Sequence, residues 1–497
     1  MTGDSVSKVL VSQGRTPTRL AAGILWLTLS GCAALDPGGA KPDLPAVPTA
    51  APRTTGIETL ASAEHKRLVS LFGGEYKSAA AELYLNGILA RLAQGEEQAT
   101  TTYRVTILNS PSINAFALPS GNLYVTRGLL ALANDTAELA AVMAHEIAHI
   151  SARHASQRAE LEKNAVVISR AATLVQSRQK GEELQATGRL SLASFSRQQE
   201  LEADQIGVKT IARAGYDPYG ASRFLASLGR STNLRATMFG QKSGDEQPDI
   251  LASHPSTPER ISRAVSAARQ VGAPGIGSAG REEYLNAIDG LQFGDDPSEG
   301  FVRGRRFVHP KLGFAFTAPE GFVLDNSAQA LLGIAAGGNE ALRLDSVSVS
   351  ASTSLEAYLG SGWMAGIDAN SIRTESFNGI PAATANAKGG EWHFRVAAVR
   401  LGSEVYRVIF TTREMTPLAH ARFAESLQSF RQVPSDEAQR TSALRIKTVR
   451  AVADDTAAGL ASRMAVSDQP LQQFQLLNGL ESPAPIQVGQ RYKIVVE

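Results

Sequence analysis

The chain has 497 residues, of which 43% are hydrophobic and 20% are charged, and its formal net charge is +1. This composition is that of an ordinary folded protein, and the length allows two to four domains. Because a net charge so close to zero gives no bulk attraction to phosphate groups, we predict no nucleic-acid partner.

The N-terminal segment carries basic residues and then the apolar run "LAAGILWLTLSG", followed at once by Cys32, the only cysteine of the chain. The run is too short for a stable transmembrane helix, and the pattern resembles a bacterial lipoprotein signal peptide over residues 1–31. Cleavage before Cys32 would leave its thiol to carry lipid, and several acyl chains anchor a protein stably to a membrane. Because Ala33 rather than aspartate follows, known sorting rules predict a periplasmic protein anchored to the inner leaflet of the outer membrane. Residues 32–56 are Pro-rich and are predicted to form a tether.

The stretch "AVMAHEIAHISARH" places two histidines four residues apart, with a glutamate directly after the first. Apolar spacing predicts one helix over residues 136–158. His145 and His149 then lie on one face and can both bind one metal ion, and Glu146 lies beside it, where a general base for hydrolysis should stand. His154 lies five residues after His149, about 140° around the same helix, so we predict a packing or surface residue rather than a ligand.

A third metal ligand is expected from a second helix, predicted over residues 194–215. Its acidic residues include Glu200 and Asp204, which share a face, whereas Glu202 points away and is predicted to be solvated. One carboxylate of the shared face can bind the metal while the other holds the ring N–H of a metal-binding histidine. Spacing alone does not decide which of the two is the ligand.

The pairing of "HEIAH" with "SRQQELEAD" resembles the HtpX-like and CAAX-prenyl-protease family of gluzincin zinc endopeptidases. The resemblance covers roughly residues 55–275 and implies one Zn²⁺ per chain. It assigns Glu200 as the third zinc ligand and Asp204 as the partner of a zinc-binding histidine.

Two further stretches resemble the same family. "SPSINAFALPSGNLYVTRGLL" matches its segment before the zinc helix, which implies a substrate-binding edge strand at Asn114, Ala115 and Phe116. "LASHPSTPERI" matches its His-Pro motif, in which the histidine can approach the zinc. His254 is therefore expected either to inhibit as a fourth ligand or to assist catalysis by stabilising the transition state. An edge strand with unpaired backbone groups would select extended polypeptides, largely independent of their sequence.

The chain as a whole is predicted to be a multidomain α+β protein with a mainly helical gluzincin metallopeptidase domain and a small edge-stranded sheet over residues 57–275. A connector over residues 276–300 leads to an α+β domain over 301–435, where we find no catalytic constellation. That domain faintly resembles small PsbP-like or Mog1-like modules, and its role is unknown.

Residues 436–497 resemble a single LysM module, with strand, helix, helix and strand in that order. The turn that usually reads "GDT" is "DDT" here, at residues 454–456. Modules of this kind bind peptidoglycan, although some serve only as interaction domains. Peptidoglycan is therefore a candidate partner of residues 444–497.

We interpret the chain as a lipid-anchored zinc metalloendopeptidase that hydrolyses misfolded or misassembled envelope proteins, with the outer-membrane assembly machinery as a candidate partner. One alternative is a zinc-containing chaperone or scaffold for outer-membrane assembly, against which the intact motifs argue. The other is a peptidoglycan hydrolase recruited by the LysM-like module, although the motifs resemble those of proteases.

Overall fold

The computed structural model describes a large part of the chain, namely residues 55–95, 101–158, 195–238, 254, 257–327, 330–335, 337–440, 442–466, 468–481 and 485–497. The predicted signal peptide, Cys32 and the tether up to residue 54 lie outside these residues. Within the described residues, no helix has both the length and the hydrophobicity that a membrane span requires.

The helices are numbered here in chain order. They are α1 (Thr55–Leu71), α2 (Ala79–Gly95), α3 (Arg127–Leu132), α4 (Thr136–Ser151), α5 (Arg197–Arg213), α6 (Gly220–Met238), α7 (Pro258–Val271), α8 (Arg281–Ile288), α9 (Leu355–Leu359), α10 (Pro417–Gln428), α11 (Ser435–Arg440), α12 (Ala457–Ala461) and α13 (Pro470–Leu477), with a 3₁₀ turn at Ala369–Ser371.

Within the described residues, the strands form four sheets. The strands are β1 (Arg104–Leu108), β2 (Ala115–Ala117), β3 (Asn122–Thr126), β4 (Gln292–Phe293), β5 (Phe301–Arg303), β6 (Arg306–His309), β7 (Phe314–Thr317), β8 (Phe322–Asn326), β9 (Leu331–Ala335), β10 (Glu340–Ser348), β11 (Arg373–Phe377), β12 (Ile380–Gly389), β13 (Trp392–Leu401), β14 (Glu404–Thr412), β15 (Arg431–Gln432), β16 (Leu444–Arg450) and β17 (Arg491–Val496).

The N-terminal half is mainly helical, as predicted, and is built around α4. This helix is buried almost throughout, packs against α5, α6 and β2, and contributes Leu139, Met143 and Ile147 to the core. Asp135 caps its first turn by accepting a hydrogen bond from the backbone N–H of Glu138. The small sheet has the order β1-β3-β2, which leaves β2 at an edge. The predicted edge strand therefore lies next to the helix that carries the histidine motif.

The predicted continuation of α4 to residue 158 is wrong. The helix ends at Ser151, and Arg153 takes a left-handed conformation with φ of 56° before helical geometry resumes over residues 154–158. A non-glycine residue in this conformation breaks the helical path. The 140° rotation expected for His154 therefore does not apply, and its position has to be taken from the structure.

Residues 301–435, predicted as a separate α+β domain, contain both helices and strands and are dominated by antiparallel sheet. One sheet has seven strands in the order β11-β12-β13-β14-β10-β9-β8, and the other has four strands in the order β15-β7-β6-β5. α10 closes the core between them with the fully buried Phe423, which stacks on Phe410. The multidomain mixture of helices and sheets is therefore confirmed.

The C-terminal residues have the predicted strand-helix-helix-strand order, from β16 through α12 and α13 to β17. They do not form an independent module. β16 pairs with β4 of the connector, and these residues share one hydrophobic core with the peptidase region. Phe474 and Ile494 belong to this core together with Leu129 of α3. The connector, for which no element was predicted, supplies α8 and β4 to the same assembly.

A fully buried lysine fixes this contact. Lys493, in β17, donates hydrogen bonds from Nζ to the carbonyl oxygens of Ala131 and Ala133, at 2.7 and 2.6 Å. These carbonyls end α3, immediately before the cap of α4. The last strand of the chain therefore supports the start of the helix that carries the histidines.

We expect Lys493→Met to lower the free energy of unfolding by about 2–4 kcal/mol, because a buried carbonyl left without a donor costs about 1–3 kcal/mol. Urea unfolding measures the change. The matched control is Lys447→Met in the neighbouring strand β16, where the lysine is exposed. Equal stability of the two variants would contradict the supporting role of Lys493.

Candidate metal centre

α5 approaches α4 closely because Gly207 lies at their contact. A Cβ atom at Gly207 would lie only 3.3 Å from the backbone nitrogen of His145. Glycine inside a helix costs about 1 kcal/mol relative to alanine, and the close contact gives this one a structural reason. α5 covers most of its predicted range, and Glu200 and Asp204 lie one turn apart and are buried against α4.

Four buried or nearly buried side chains bring nitrogen and oxygen atoms together, all within 4.8 Å of one another: His145, His149, Glu200 and His254. The Nε2 atoms of His145 and His149 are 3.1 Å apart. The carboxylate oxygens of Glu200 lie 3.4 Å from Nε2 of His145 and 3.5 Å from Nε2 of His149. Nδ1 of His254 lies 3.3 Å from Nε2 of His145 and 2.8 Å from Glu200.

This geometry fits one zinc ion. Donors placed about 2.0–2.1 Å from a tetrahedral zinc lie roughly 3.3 Å from one another. Most distances within the group, from 3.1 to 3.5 Å, are close to that edge length. Imidazole nitrogens with a carboxylate are also the donor set that zinc takes in catalytic sites. The structure therefore brings the predicted ligands together, and adds His254 to them.

Asp204 takes the place that the sequence resemblance implied for it. Its Oδ1 lies 3.0 Å from Nδ1 of His145, the ring nitrogen that faces away from the metal-binding group. Such a carboxylate fixes the orientation of a metal-binding histidine and raises its basicity. Asp204 and Glu200 thus have different roles although both lie on one helix face.

Arg260 is a member of the centre that sequence reasoning missed. It lies in α7 and is buried, and its guanidinium donates two hydrogen bonds to Asp204 at 2.7 Å each. Its Nη1 lies 2.8 Å from Glu200. One arginine therefore pairs with both carboxylates and orients them. The signal in the sequence was the "PER" that follows the His-Pro motif, but a lone arginine after a motif does not reveal its partners.

The pKa values of the metal-binding side chains are shifted by burial and by their mutual contacts. Burial lowers the pKa of His145, but contacts with Asp204 and Glu200 outweigh burial and raise this pKa to about 9. Burial, with the neighbouring His145 and His254, lowers the pKa of His149 to about 2. Burial raises the pKa of Glu200, but contacts with the histidines hold it well below its ordinary range. Metal binding must therefore displace a proton from His145. His149 and Glu200, whose pKa values are lowered, are already deprotonated and can bind the metal directly.

Glu146 lies beside the group, as predicted for a general base. It is 4% exposed, and burial raises the pKa of its carboxyl group. A higher pKa makes a carboxylate a stronger base. Its Oε1 lies 3.6 Å from Nε2 of His254, whose other nitrogen faces Glu200. The His254 ring therefore extends from the metal-binding group to the base.

His154 is completely buried and contacts His149. The prediction of a packing or surface residue did not include this contact with a metal-binding histidine. Nδ1 of His154 lies 2.9 Å from Nδ1 of His149. Phe195 stacks on the His149 ring at 3.9 Å between ring centroids. Glu202, predicted to be solvated, has a half-exposed side chain, and its carboxylate lies 3.5 Å from Nε2 of His154.

The predicted edge strand is formed by Ala115 and Phe116 together with Ala117, and Asn114 lies directly before it. β2 pairs with β3 on one side only among the described residues. Phe116 stacks on Tyr124 of β3, with 4.8 Å between the ring centroids. Backbone groups along its other side are oriented to pair with an extended chain.

Residues 79–268 match the sequence model of peptidase family M48. This segment is therefore similar to M48 peptidase domains. It contains all the metal-binding candidates, Glu146 and the edge strand. The narrower resemblance to HtpX-like and CAAX prenyl proteases stays a prediction, as does the LysM-like module.

Curated relatives of this segment are proteases by name. The chain is 29% identical over 213 residues to the β-barrel assembly-enhancing protease of Escherichia coli K12. The matched region covers 41% of this chain and 42% of that protein. It is 31% identical over 201 residues to the mitochondrial metalloendopeptidase OMA1 of Arabidopsis thaliana, covering 40% of this chain and 36% of that protein. The chain therefore spans about two fifths of the length of these relatives.

A solved structure, cyanobacterial PsbP (CyanoP) from Synechocystis sp. PCC 6803, is 14% identical and covers 28% of this chain and 98% of that one, with a TM-score of 0.23. A TM-score this low supports no argument about the fold. The PsbP-like resemblance of residues 301–435 stays a prediction.

Proposed function

We propose that the protein is a zinc-dependent metalloendopeptidase. The observation that carries this proposal is the cluster of His145, His149, Glu200 and His254, whose ligand atoms all lie within 4.8 Å of one another, with Glu146 beside it. The M48 match and the protease names of the relatives support the same activity. A bound zinc ion would polarise a scissile carbonyl group and lower the pKa of water.

The side chains of the centre divide the chemistry among them. His145, His149 and Glu200 hold the metal, and Asp204 with Arg260 keeps His145 and Glu200 in position. Glu146 takes the proton of the attacking water and delivers it to the leaving amine. Its buried carboxylate keeps this proton away from bulk solvent.

We propose extended polypeptides as the substrates. β2 offers one free side for pairing, and backbone hydrogen bonds give affinity without selecting a side-chain sequence. Unfolded and misassembled proteins expose such segments, whereas folded proteins do not. We propose that the protein removes such proteins from the bacterial envelope. The name of the Escherichia coli relative, a β-barrel assembly-enhancing protease, is consistent with this role.

Two other functions make different predictions for one experiment, in which the protein is incubated with casein and with purified peptidoglycan sacculi. The metallopeptidase cleaves casein and leaves sacculi intact, whereas a peptidoglycan hydrolase releases glycan fragments. A zinc-containing chaperone or scaffold cleaves neither. Casein left uncut both by the zinc-bound chain and by its zinc-bound His254→Ala variant would reject the proposed function.

We propose that His254 restrains the enzyme as a fourth zinc ligand. Its Nδ1 lies among the other donors and its Nε2 faces Glu146, so the ring occupies the space between metal-binding group and base. A site with four protein ligands has no open position for water, as in structural zinc sites. In the alternative role, His254 would donate a hydrogen bond to the developing oxyanion.

We expect His254→Ala to raise casein turnover, because three protein ligands and an open coordination position remain. The control is His420→Ala, an exposed histidine of α10, which should leave turnover unchanged. A fall of about 10²–10³ in kcat with zinc retained would assign His254 to transition-state stabilisation and reject the latch.

We also propose that Cys32 carries lipid and holds the protein at the periplasmic face of the outer membrane. Several acyl chains give membrane affinity that one chain does not. We expect Cys32→Ala to appear in the soluble fraction of the envelope, whereas the unchanged chain requires detergent for release. A Cys32→Ala variant that still needs detergent after signal cleavage would refute the lipid anchor.

A further inference from the structure

The two zinc-binding histidines are held in different ways at the nitrogen that faces away from the metal. His145 has the carboxylate of Asp204 at 3.0 Å from its Nδ1. His149 has another histidine, His154, at 2.9 Å from its Nδ1. An ionised carboxylate only accepts hydrogen bonds, whereas a neutral imidazole nitrogen can either accept or donate one. The second arrangement is therefore ambiguous until something fixes the proton.

The position of that proton decides whether His149 can bind metal. If the proton between the two Nδ1 atoms belongs to His149, its Nε2 carries a lone pair directed at the metal-binding group. If the proton belongs to His154, Nε2 of His149 must carry a proton of its own and cannot bind metal. His154 acts as the acceptor only when its own proton lies on Nε2.

Glu202 favours that arrangement. Its carboxylate lies 3.5 Å from Nε2 of His154, and His154 is 0% exposed, so no bulk water reaches the ring. Nε2 of His154 makes no hydrogen bond, but the negative charge of the nearby carboxylate favours a proton on this nitrogen and leaves Nδ1 free to accept.

We propose that His154, oriented by Glu202, is a positioning residue that keeps His149 in its zinc-binding tautomer. Phe195 adds to this by stacking on His149 and limiting rotation of its ring. The turn at Arg153, with φ of 56°, brings His154 to His149 where a continuous helix would carry it away. The proposal deepens the proposed function, because it rests on zinc being bound by His149.

The test compares two substitutions of His154 in the full chain. His154→Asn places an amide oxygen near the position of Nδ1 and can still accept a hydrogen bond, whereas His154→Leu has similar bulk and no acceptor. Zinc affinity is measured by competition with a chromophoric chelator at fixed pH. We expect His154→Leu to lower the affinity by about 10–100-fold, and His154→Asn to recover most of the loss.

A second pair of variants tests Glu202. We expect Glu202→Leu to lower zinc affinity less than His154→Leu does, because this side chain is half exposed and its contact is longer. Gln205→Leu, at an exposed position of the same helix, should have no effect. Equal affinities of these two variants would remove Glu202 from the proposal.

Thermal unfolding of the metal-free variants separates positioning from folding. A purely structural role would make His154→Asn and His154→Leu lose stability and zinc affinity together, and that outcome would overturn the proposal. Wild-type affinity in His154→Leu would overturn it while leaving the metallopeptidase function intact. A wild-type chain that binds no zinc would overturn both.

Discussion

Glu146→Gln is expected to reduce casein cleavage by about 10²–10⁴-fold while zinc content stays near one ion per chain. General-base catalysis contributes a factor of this size, and a glutamine cannot accept the proton of water. The substitution keeps the shape of the side chain, and Glu146 is not among the four metal-binding candidates, so the ligands are unchanged. Rates are measured with purified protein, and zinc by elemental analysis.

The control for Glu146→Gln is Glu283→Gln, which makes the same chemical change at an exposed position of α8. It should cleave casein at the wild-type rate. A Glu146→Gln variant that cleaves casein at a rate comparable to the control would show that another group is the base.

Arg260→Met is expected to lower the free energy of unfolding of the metal-free protein by about 3–5 kcal/mol. Breaking a buried ion pair by removing one partner has this cost, because the remaining charges stay buried with less compensation. Here two carboxylates lose the same partner, since Arg260 contacts both Glu200 and Asp204. Urea unfolding in the presence of a chelator measures the loss.

Arg263→Met is the matched control, because Arg263 lies on the same helix, 67% of its side chain is exposed, and it faces only Glu259 at 3.8 Å. Exposed pairs contribute about 0–1 kcal/mol. Similar stability losses in the two variants would show that the buried arginine contributes no more than a surface arginine does.

The local part of the metal centre could be predicted from the sequence, because helix geometry alone places residues four apart on one face. That rule places His145 with His149, and Glu200 with Asp204. The structure brings both pairs together at the contact of α4 and α5. The choice between Glu200 and Asp204 needed the family resemblance, since both satisfy the spacing.

The parts that were missed depend on long-range contacts or on irregular backbone. The position of His154 follows from a left-handed residue at Arg153, and an arginine gives no sequence signal for that conformation. Arg260 reaches Asp204 across 56 residues of chain. Lys493 reads in the sequence as a polar strand residue, yet it is fully buried because its strand packs against α3.

The most direct test of the account is to measure casein turnover before and after removal of zinc. We expect chelation to abolish cleavage, and we expect about one equivalent of zinc per chain to restore it, with no recovery in a His145→Ala variant. Full casein cleavage by protein whose zinc has been removed, or by the His145→Ala variant, would contradict the assignment of a zinc metalloendopeptidase.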